Sequence, residues 1–440
     1  MHPQPPGPQD LPLVGATPYY ARDPFRFATD MRDAYGDVAT FRLGRQQTYL
    51  FTTPTAVEQV LVNDADRFRK PDFQTDAMEE LLGQGLLLSE GPFWREMRQL
   101  AQPAFAPDRV ADLADMMAER TESLIERWAP GEVRDVEAEM ARLTVGIIVD
   151  AMFGADLGPA RTRVVQKNLE PLGRRFEPDP RRAVVPDWLP TPENREYHAA
   201  IENLEDVIDE IVAERRDSIE ERDDLLSILL RARRDGEIGD RQIRDELMTM
   251  LLAGHDTTAL ALTYGWYLLS EHPEAERKVH EEVDAVVDGR PTFADVRELT
   301  YVRKMLDEAM RLYPPVYAMF RQPDQDIEIE GYEVPAESLV MLSQWATHRD
   351  PRYFEDPETF KPERWDDSDH PTYAYFPFGA GPRSCIGKQF SLTEATIVLA
   401  TIASEYRLNR VDDGELELRG SLTMHPADGV DVEIEQREND

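Results

Sequence analysis

Apolar and polar positions change their spacing along the chain, and each spacing predicts a different element. VATFRLG (38–44) and QTYLFTT (47–53) alternate with a period of two between turn residues, which predicts a β-hairpin. From about 55 to 315 the apolar positions recur every three to four residues, which predicts helices. That period runs through TAVEQVL, through positions 110–127 and through a long acidic amphipathic stretch at 197–232. The turn DGEIGD (235–240) precedes a helix predicted over about 241–270, with Asp240 as its N-cap and His272-Pro273 as its stop. A helix of that length spans about 45 Å, a full domain diameter.

Shorter helices follow at 274–287 and about 299–313, with strands in IEIEGYEV and LVMLS. A proline-rich irregular region covers 349–384. The last helix begins just after Cys385 and runs through SLTEATIVLATIASEY, and short strands close the chain. Residues 1–16 read as an extended lead-in, rich in proline and glycine. No internal repeat, low-complexity block or linker interrupts the pattern. The expectation is one large, mainly α unit over 1–440 with small β-sheets.

Composition narrows the class. At 41% hydrophobic residues the 440-residue chain can bury a sizeable core. The longest apolar runs, such as LTVGIIVDAMFG (143–154), are shorter than the roughly 18 residues of a membrane span. MHPQPPGPQD carries no signal-peptide pattern. A single cysteine excludes an intrachain disulfide. These features predict a cytoplasmic protein with no transmembrane segment. The net charge of −37 argues against nucleic-acid binding. The acid is spread along the whole chain, and lysine occurs only at 70, 167, 278, 304, 361 and 388. Such a surface suits concentrated salt, where self-repulsion is screened, so a halophilic background is expected. A basic partner is the alternative.

The lone cysteine lies in FGAGPRSCIG (378–387). A single cysteine is commonly a small buried hydrophobe. Here, however, Gly379, Gly381 and Gly387 give backbone freedom and room for something flat. Cys385 also stands at the mouth of a helix, where free N–H groups stabilise a thiolate, and Arg383 adds a positive charge. A phosphate loop fails on Pro382 and Gln389. A cysteine nucleophile needs a histidine base, which the eight histidines leave open, but it gives the glycines no use. Zinc lacks a second cysteine and an HExxH. A thiolate ligating iron beneath a planar macrocycle uses every part of the loop.

Phe378, Gly381, Arg383, Cys385 and Gly387 resemble the FxxGxRxCxG signature of the cytochrome P450 family. The long helix contains LLAGHDTTALA (251–261), which resembles the family's AGx[DE]TT segment. Gly254, Thr257 and Ala261 form a stripe of small residues, extended by the larger Ile243, Leu247 and Met250. Close helix packing is one meaning of such a stripe, and a gap for dioxygen and substrate is the other. The resemblance implies that Thr257 and Asp256 serve the oxygen chemistry as an alcohol–acid pair, with Ala253 and Gly254 making the oxygen pocket. His255 occupies the variable position and is not expected to be a ligand.

Glu308 and Arg311 in EAMR, alone, could be a surface ion pair. With FKPERW (360–365) they match the family's ExxR and its later arginine. By resemblance, Glu308, Arg311 and Arg364 form a buried structural network that holds the cysteine segment. Trp94 and Arg98 resemble the family's WxxxR, and Arg321 matches a further arginine. The resemblance assigns all three to the haem propionates and Cys385 to the haem iron as axial ligand.

The family likeness covers nearly the whole chain. It implies haem b as cofactor and insertion of one atom of O2 into an apolar substrate. Peroxide-driven haem-thiolate enzymes and non-catalytic haem sensors or electron carriers are the alternatives. No flavin, nicotinamide or iron–sulfur domain is visible in the sequence, so no fused reductase is expected. A separate ferredoxin or flavodoxin with its reductase would dock near Arg95, Lys304, Lys361 and Lys388. A monomer is expected. The resemblance places the mostly apolar Phe73, Met78, Leu82, Leu87, Val316, Ala318, Met319, Leu422 and Met424 around the pocket. The PPGP opening and the cysteine region resemble those of relatives acting on long lipids, fatty acids or carotenoids, so a long lipophilic substrate is expected.

Overall fold

The computed structural model describes residues 4–155, 158–177, 189–216, 222–366 and 369–437. At its centre is the predicted long helix, Asp240–Glu271. It ends where Pro273 denies the chain another turn, with His272 at the C-cap. Its start differs from expectation by one residue. Gly239 is the N-cap, and Asp240 lies inside the first turn with its carboxylate on Arg233. The helix is buried on most of its circumference because other helices pack against it on several sides, among them Val136–Phe153, Thr300–Leu312, Lys388–Glu405 and Pro192–Arg215. Trp266 and Tyr264 are among its fully buried side chains.

The amphipathic stretch at 197–232 is two helices rather than one, Pro192–Arg215 and Leu225–Arg234. Asp224 caps the second by accepting from the Ser227 N–H at 2.8 Å. Positions 217–221 fall outside the described residues. The periodicity of positions 110–127 likewise breaks into Pro107–Asp112 and Ala114–Ile125.

The predicted hairpin forms, Val38–Leu43 against Gln46–Phe51. It belongs to a five-stranded sheet completed by Leu339–Ser343, Ala318–Pro323 and Phe68–Arg69. Gln46–Phe51 pairs parallel with Leu339–Ser343, a long-range pairing that no local pattern shows. Two small C-terminal sheets matter for the site. Leu418–Gly420 pairs with Met424–Pro426, and Asp431–Gln436 joins Tyr406–Arg410 to Val133–Asp135.

The segment after Leu82 is clamped to the central helix. Arg244 donates to the carbonyls of Leu81 and Glu80, and the N–H groups of Gln84 and Leu86 donate to Asp245 and Glu246. Gly83 has φ +50°, and a Cβ there would fall 2.1 Å from Asp245, so no other residue fits without displacing the clamp. This contact carries Leu86 and Leu87 over the central cavity.

Candidate functional site

A cavity of about 910 Å³ lies between the central helix, the cysteine loop, the Ala318–Pro323 strand and the turn before Met424–Pro426. Cys385 opens into it, as do Phe378, Gly379 and Arg383. The Cys385 N–H donates to the Phe378 carbonyl at 2.9 Å, which closes the loop on itself. Gly379 and Gly381 both have positive φ, 66° and 65°. At Gly381 a Cβ would meet the Leu61 carbonyl oxygen at 1.9 Å. The sequence suggested that this glycine leaves room for a ring. Its contact is instead with a neighbouring backbone, and that contact fixes the loop's position. Gly387 packs at ordinary distance against Phe105.

The following helix starts at Lys388, three residues beyond the thiol, so Cys385 receives less of its dipole than the sequence suggests. Burial pushes the Cys385 thiol up, while the Gly387 backbone, Arg98 and Lys388 pull it back down.

Cations gather on one wall of the cavity. Lys70, Arg98, Arg321 and Arg383 all line it, and Trp94 stands beside them. Arg383 lies flat over the Trp94 ring at 4.0 Å, donates to the Ser89 carbonyl at 2.8 Å and pairs with Glu90. The others are less well paired: among the described residues, Arg98 and the Lys70 side chain make no hydrogen bond, Arg321 donates only to the Phe320 carbonyl, and Glu90 acts on Lys70 and Arg321 only from beyond hydrogen-bond reach. Burial pushes Arg321 down to about 10 and, with Arg383, Lys70 down to about 7. Burial also lowers Arg98. Buried cations held this way call for an anionic ligand. No local pattern in the sequence distinguishes Lys70 from an ordinary surface lysine.

On the central helix, Met250, Ala253, Thr257 and Ala261 follow one another at helical spacing and line the cavity. Gly254 does not join them. A Cβ on Gly254 would meet Ile148 at 2.8 Å, so this glycine lets the helix Val136–Phe153 approach. Here the stripe divides into one residue for helix packing and the rest for the cavity. Ile243 and Leu247 are core. Thr257 Oγ1 donates to its own helix at Ala253, 3.1 Å away. Asp256 Oδ2 accepts from Thr423 Oγ1 at 2.6 Å. His255 is buried, with Nδ1 2.7 Å from the Leu251 carbonyl, and burial pushes its pKa down.

Of the apolar candidates, Met78, Leu87, Val316, Ala318, Met319 and Leu422 line the cavity. Three do not. Leu82 is fully buried core, Met424 packs with Phe25, Leu260 and Tyr264, and Phe73 is 54% exposed with its edge on Phe320. Leu82 and Met424 are apolar for the ordinary reason that cores are.

Glu308 and Arg311 are wholly buried and bidentate, both bonds 2.8 Å. Arg364 Nε, the Lys361 N–H and Trp365 Nε1 complete the shell of Glu308 at 2.9, 3.0 and 3.0 Å. Arg311 also donates to the carbonyls of His348 and Pro357. His348 Nε2 accepts from the Phe376 N–H at 3.0 Å, two residues before the cysteine loop. The network thus ties the helix Thr300–Leu312 to the irregular segment that leads to Cys385.

The chain matches the family model "Cytochrome P450" over residues 5–430. It is a cytochrome P450. It is 36% identical over 429 residues to cyclooctatin synthase of Streptomyces melanosporofaciens, covering 95% of this chain and 92% of that one. The cyclooctat-9-en-7-ol 5-monooxygenase of the same organism is 36% identical, covering 92% and 89%. Pentalenene oxygenase of Streptomyces avermitilis is 30% identical, covering 95% and 94%. This P450 is therefore a haem b monooxygenase that hydroxylates an apolar substrate with O2. The residues present fit that cofactor: one thiol opens into the cavity, and underpaired cations suited to two propionates line one wall.

Proposed function

We propose that Cys385 would ligate the haem iron through its thiolate, that Trp94, Arg98 and Arg321, joined by Lys70, would hold the propionates, and that Thr257 and Asp256 manage protons. One observation carries this reading. The chain's only cysteine, the underpaired cations and the small face of the central helix all line a single cavity. When bound, haem supplies activation of O2 for insertion of one oxygen atom into a C–H bond. The protein's own work is to place that chemistry. Ala253 and Ala261 keep the helix face low, Thr257 offers a hydroxyl, and Asp256 holds a carboxyl one residue away. Phe378 and Leu422 exclude water from the apolar side.

The substrate is an isoprenoid, supported by the printed activities of the relatives and by the apolar lining of Met78, Leu87, Val316, Met319 and Leu422. Electrons come from a separate ferredoxin or flavodoxin, each with its reductase. Arg95, Lys361 and Lys388 are exposed and offer that partner positive charge on an acidic protein. Lys304 is withdrawn from this set because Asp366 pairs with it. The diffuse acidity is salt adaptation, and the enzyme works in the cytoplasm. Among the described residues no helix is long and apolar enough to cross a membrane.

The test is direct. The reduced protein with carbon monoxide should show the absorption of a thiolate complex, and terpene ligands should shift the Soret band of the ferric form. Thr257→Ala should consume reductant without matching product. Unchanged coupling in that variant would favour peroxide-driven chemistry, and a Soret band indifferent to every apolar ligand would favour a sensor.

A further inference from the structure

The part of the cavity lined by Asp135, Glu137 and Asp428 is polar, and a run of hydrogen bonds leads inward from it. His425 Nδ1 lies 2.7 Å from Glu137 Oε1. His425 Nε2 lies 2.9 Å from Thr423 Oγ1, and that hydroxyl donates to Asp256 Oδ2 at 2.6 Å. Thr423 directly precedes the strand Met424–Pro426 that carries His425, and the contact between their side chains brings the two together. Neither residue stands in any motif that the sequence displays.

The bonding fixes the direction of the chain. Asp256 takes the hydroxyl proton of Thr423, so the Thr423 oxygen accepts from His425 Nε2–H. His425 Nδ1 faces a carboxylate and carries hydrogen as well. A ring with both hydrogens is the imidazolium. The charges around it come from three elements. Glu137 lies on Val136–Phe153, Asp256 and His255 on the central helix, and Arg419, itself paired with Glu177, on Leu418–Gly420. Burial works to lower the His425 pKa, but Glu137 and Asp256 outweigh it, against a smaller opposing effect of Arg419, and the pKa ends above its ordinary value. The His425 side chain keeps 16% exposure and that of Glu137 keeps 21%, so solvent reaches this end.

We propose that His425, held by Glu137, reprotonates Asp256 through the hydroxyl of Thr423. In the step, the Nε2–H bond breaks as the Thr423 oxygen gains that proton, and the original Thr423 hydroxyl proton passes to Asp256. Asp256 ends protonated and His425 neutral, and no electron moves. A solvent proton then restores the imidazolium. His425 and Thr423 are positioning residues that act through Asp256. The relay rests on the reading that Asp256 feeds protons to the oxygen chemistry.

The experiment compares the holoenzyme with its His425→Gln, Thr423→Val, Thr423→Ser and Asp256→Asn variants. His425→Gln and Thr423→Val should each lower kcat roughly tenfold, the low end of a general-acid contribution. Apolar-ligand affinity should stay unchanged, and the solvent deuterium isotope effect should rise. Thr423→Ser should restore most of the rate. Parent kcat should fall as pH rises through the raised His425 value, and His425→Gln should lose that limb. Wild-type kcat and isotope effect in His425→Gln and Thr423→Val, with Asp256→Asn impaired, would overturn the relay alone. An unimpaired Asp256→Asn would remove the role of Asp256 and the relay with it. Thr423→Ser as slow as Thr423→Val would reduce Thr423 to packing and overturn the proposal. As a readout independent of turnover, 13C-labelled histidine in the diamagnetic ferrous carbon monoxide form should show His425 titrating above about 6.5, and lower in Glu137→Gln. A ring titrating at or below that value overturns the relay.

Discussion

Glu308 and Asp256 are carboxyl groups on two helices that pack together, and each accepts hydrogen bonds from distant parts of the chain. Glu308 is wholly buried and takes five donors, from Arg311, Arg364, Lys361 and Trp365. Asp256 keeps 25% exposure, and among the described residues its one hydrogen bond comes from the rotatable hydroxyl of Thr423. The first arrangement leaves nothing free to move, so it fixes a loop. The second has a rotatable hydroxyl and an imidazole behind it, the arrangement that the proposed relay requires. Saturation and exposure, rather than charge, separate the saturated carboxyl from the one proposed to carry protons.

Substitutions can break this contrast, starting from the loop that Glu308 secures. Cys385→Ser should abolish turnover and remove the thiolate absorption of the reduced carbon monoxide complex. The protein should still fold, because the thiol faces the cavity rather than the core. Next comes Glu308→Gln, which strands Arg311 and Arg364. Breaking a buried pair costs about 3–5 kcal/mol, read by urea denaturation together with haem content. A loss below 1 kcal/mol would mean that the cysteine segment holds itself.

Gly254→Ala sharpens the assignment of the central helix. It should destabilise by about 1–3 kcal/mol through overpacking while leaving the Soret response to ligands intact. Ile148→Ala in the same background should recover part of the loss. An altered ligand response with unchanged stability would return Gly254 to the oxygen pocket.

Smaller effects probe the charges. Because the His425 pKa is raised in the folded protein, the stability it contributes is complete below its ordinary value of about 6.5. That contribution is lost as pH rises through the raised value. The stability difference between the parent and His425→Gln should therefore shrink with rising pH in thermal melts, and a difference that grows would contradict the charged ring. Smallest of all, Arg95→Glu with Lys388→Glu should slow reduction by the redox partner and flatten its salt dependence. Unchanged stopped-flow rates would move the docking site elsewhere.

Much of this could be read along the chain because it is local. The hairpin over 38–53, the helix ended by Pro273 and the cysteine loop are each written in contiguous residues, as are the ExxR and WxxxR pairs, whose partners share a helix face. Gly254 shows the limit of that reading. Its neighbours look like one small stripe, yet a single ångström-scale contact with Ile148 assigns it to a different role. Leu82 and Met424 fail for the same reason, since an apolar residue carries no mark of whether it faces a core or a cavity. Lys70, Thr423, His425 and Glu137 stand in no pattern at all.

The sequence alone determined the family, the cofactor it implies and the element that carries each motif, because motifs are local and helices and turns follow from residues a few places apart. Tertiary structure decided which side chains face the cavity and that Lys70 joins the cation wall. It also brought Glu137, from one helix, within 2.7 Å of His425, from a strand 288 residues further on. Such meetings depend on how distant segments close over one another, and no short-range pattern encodes that distance.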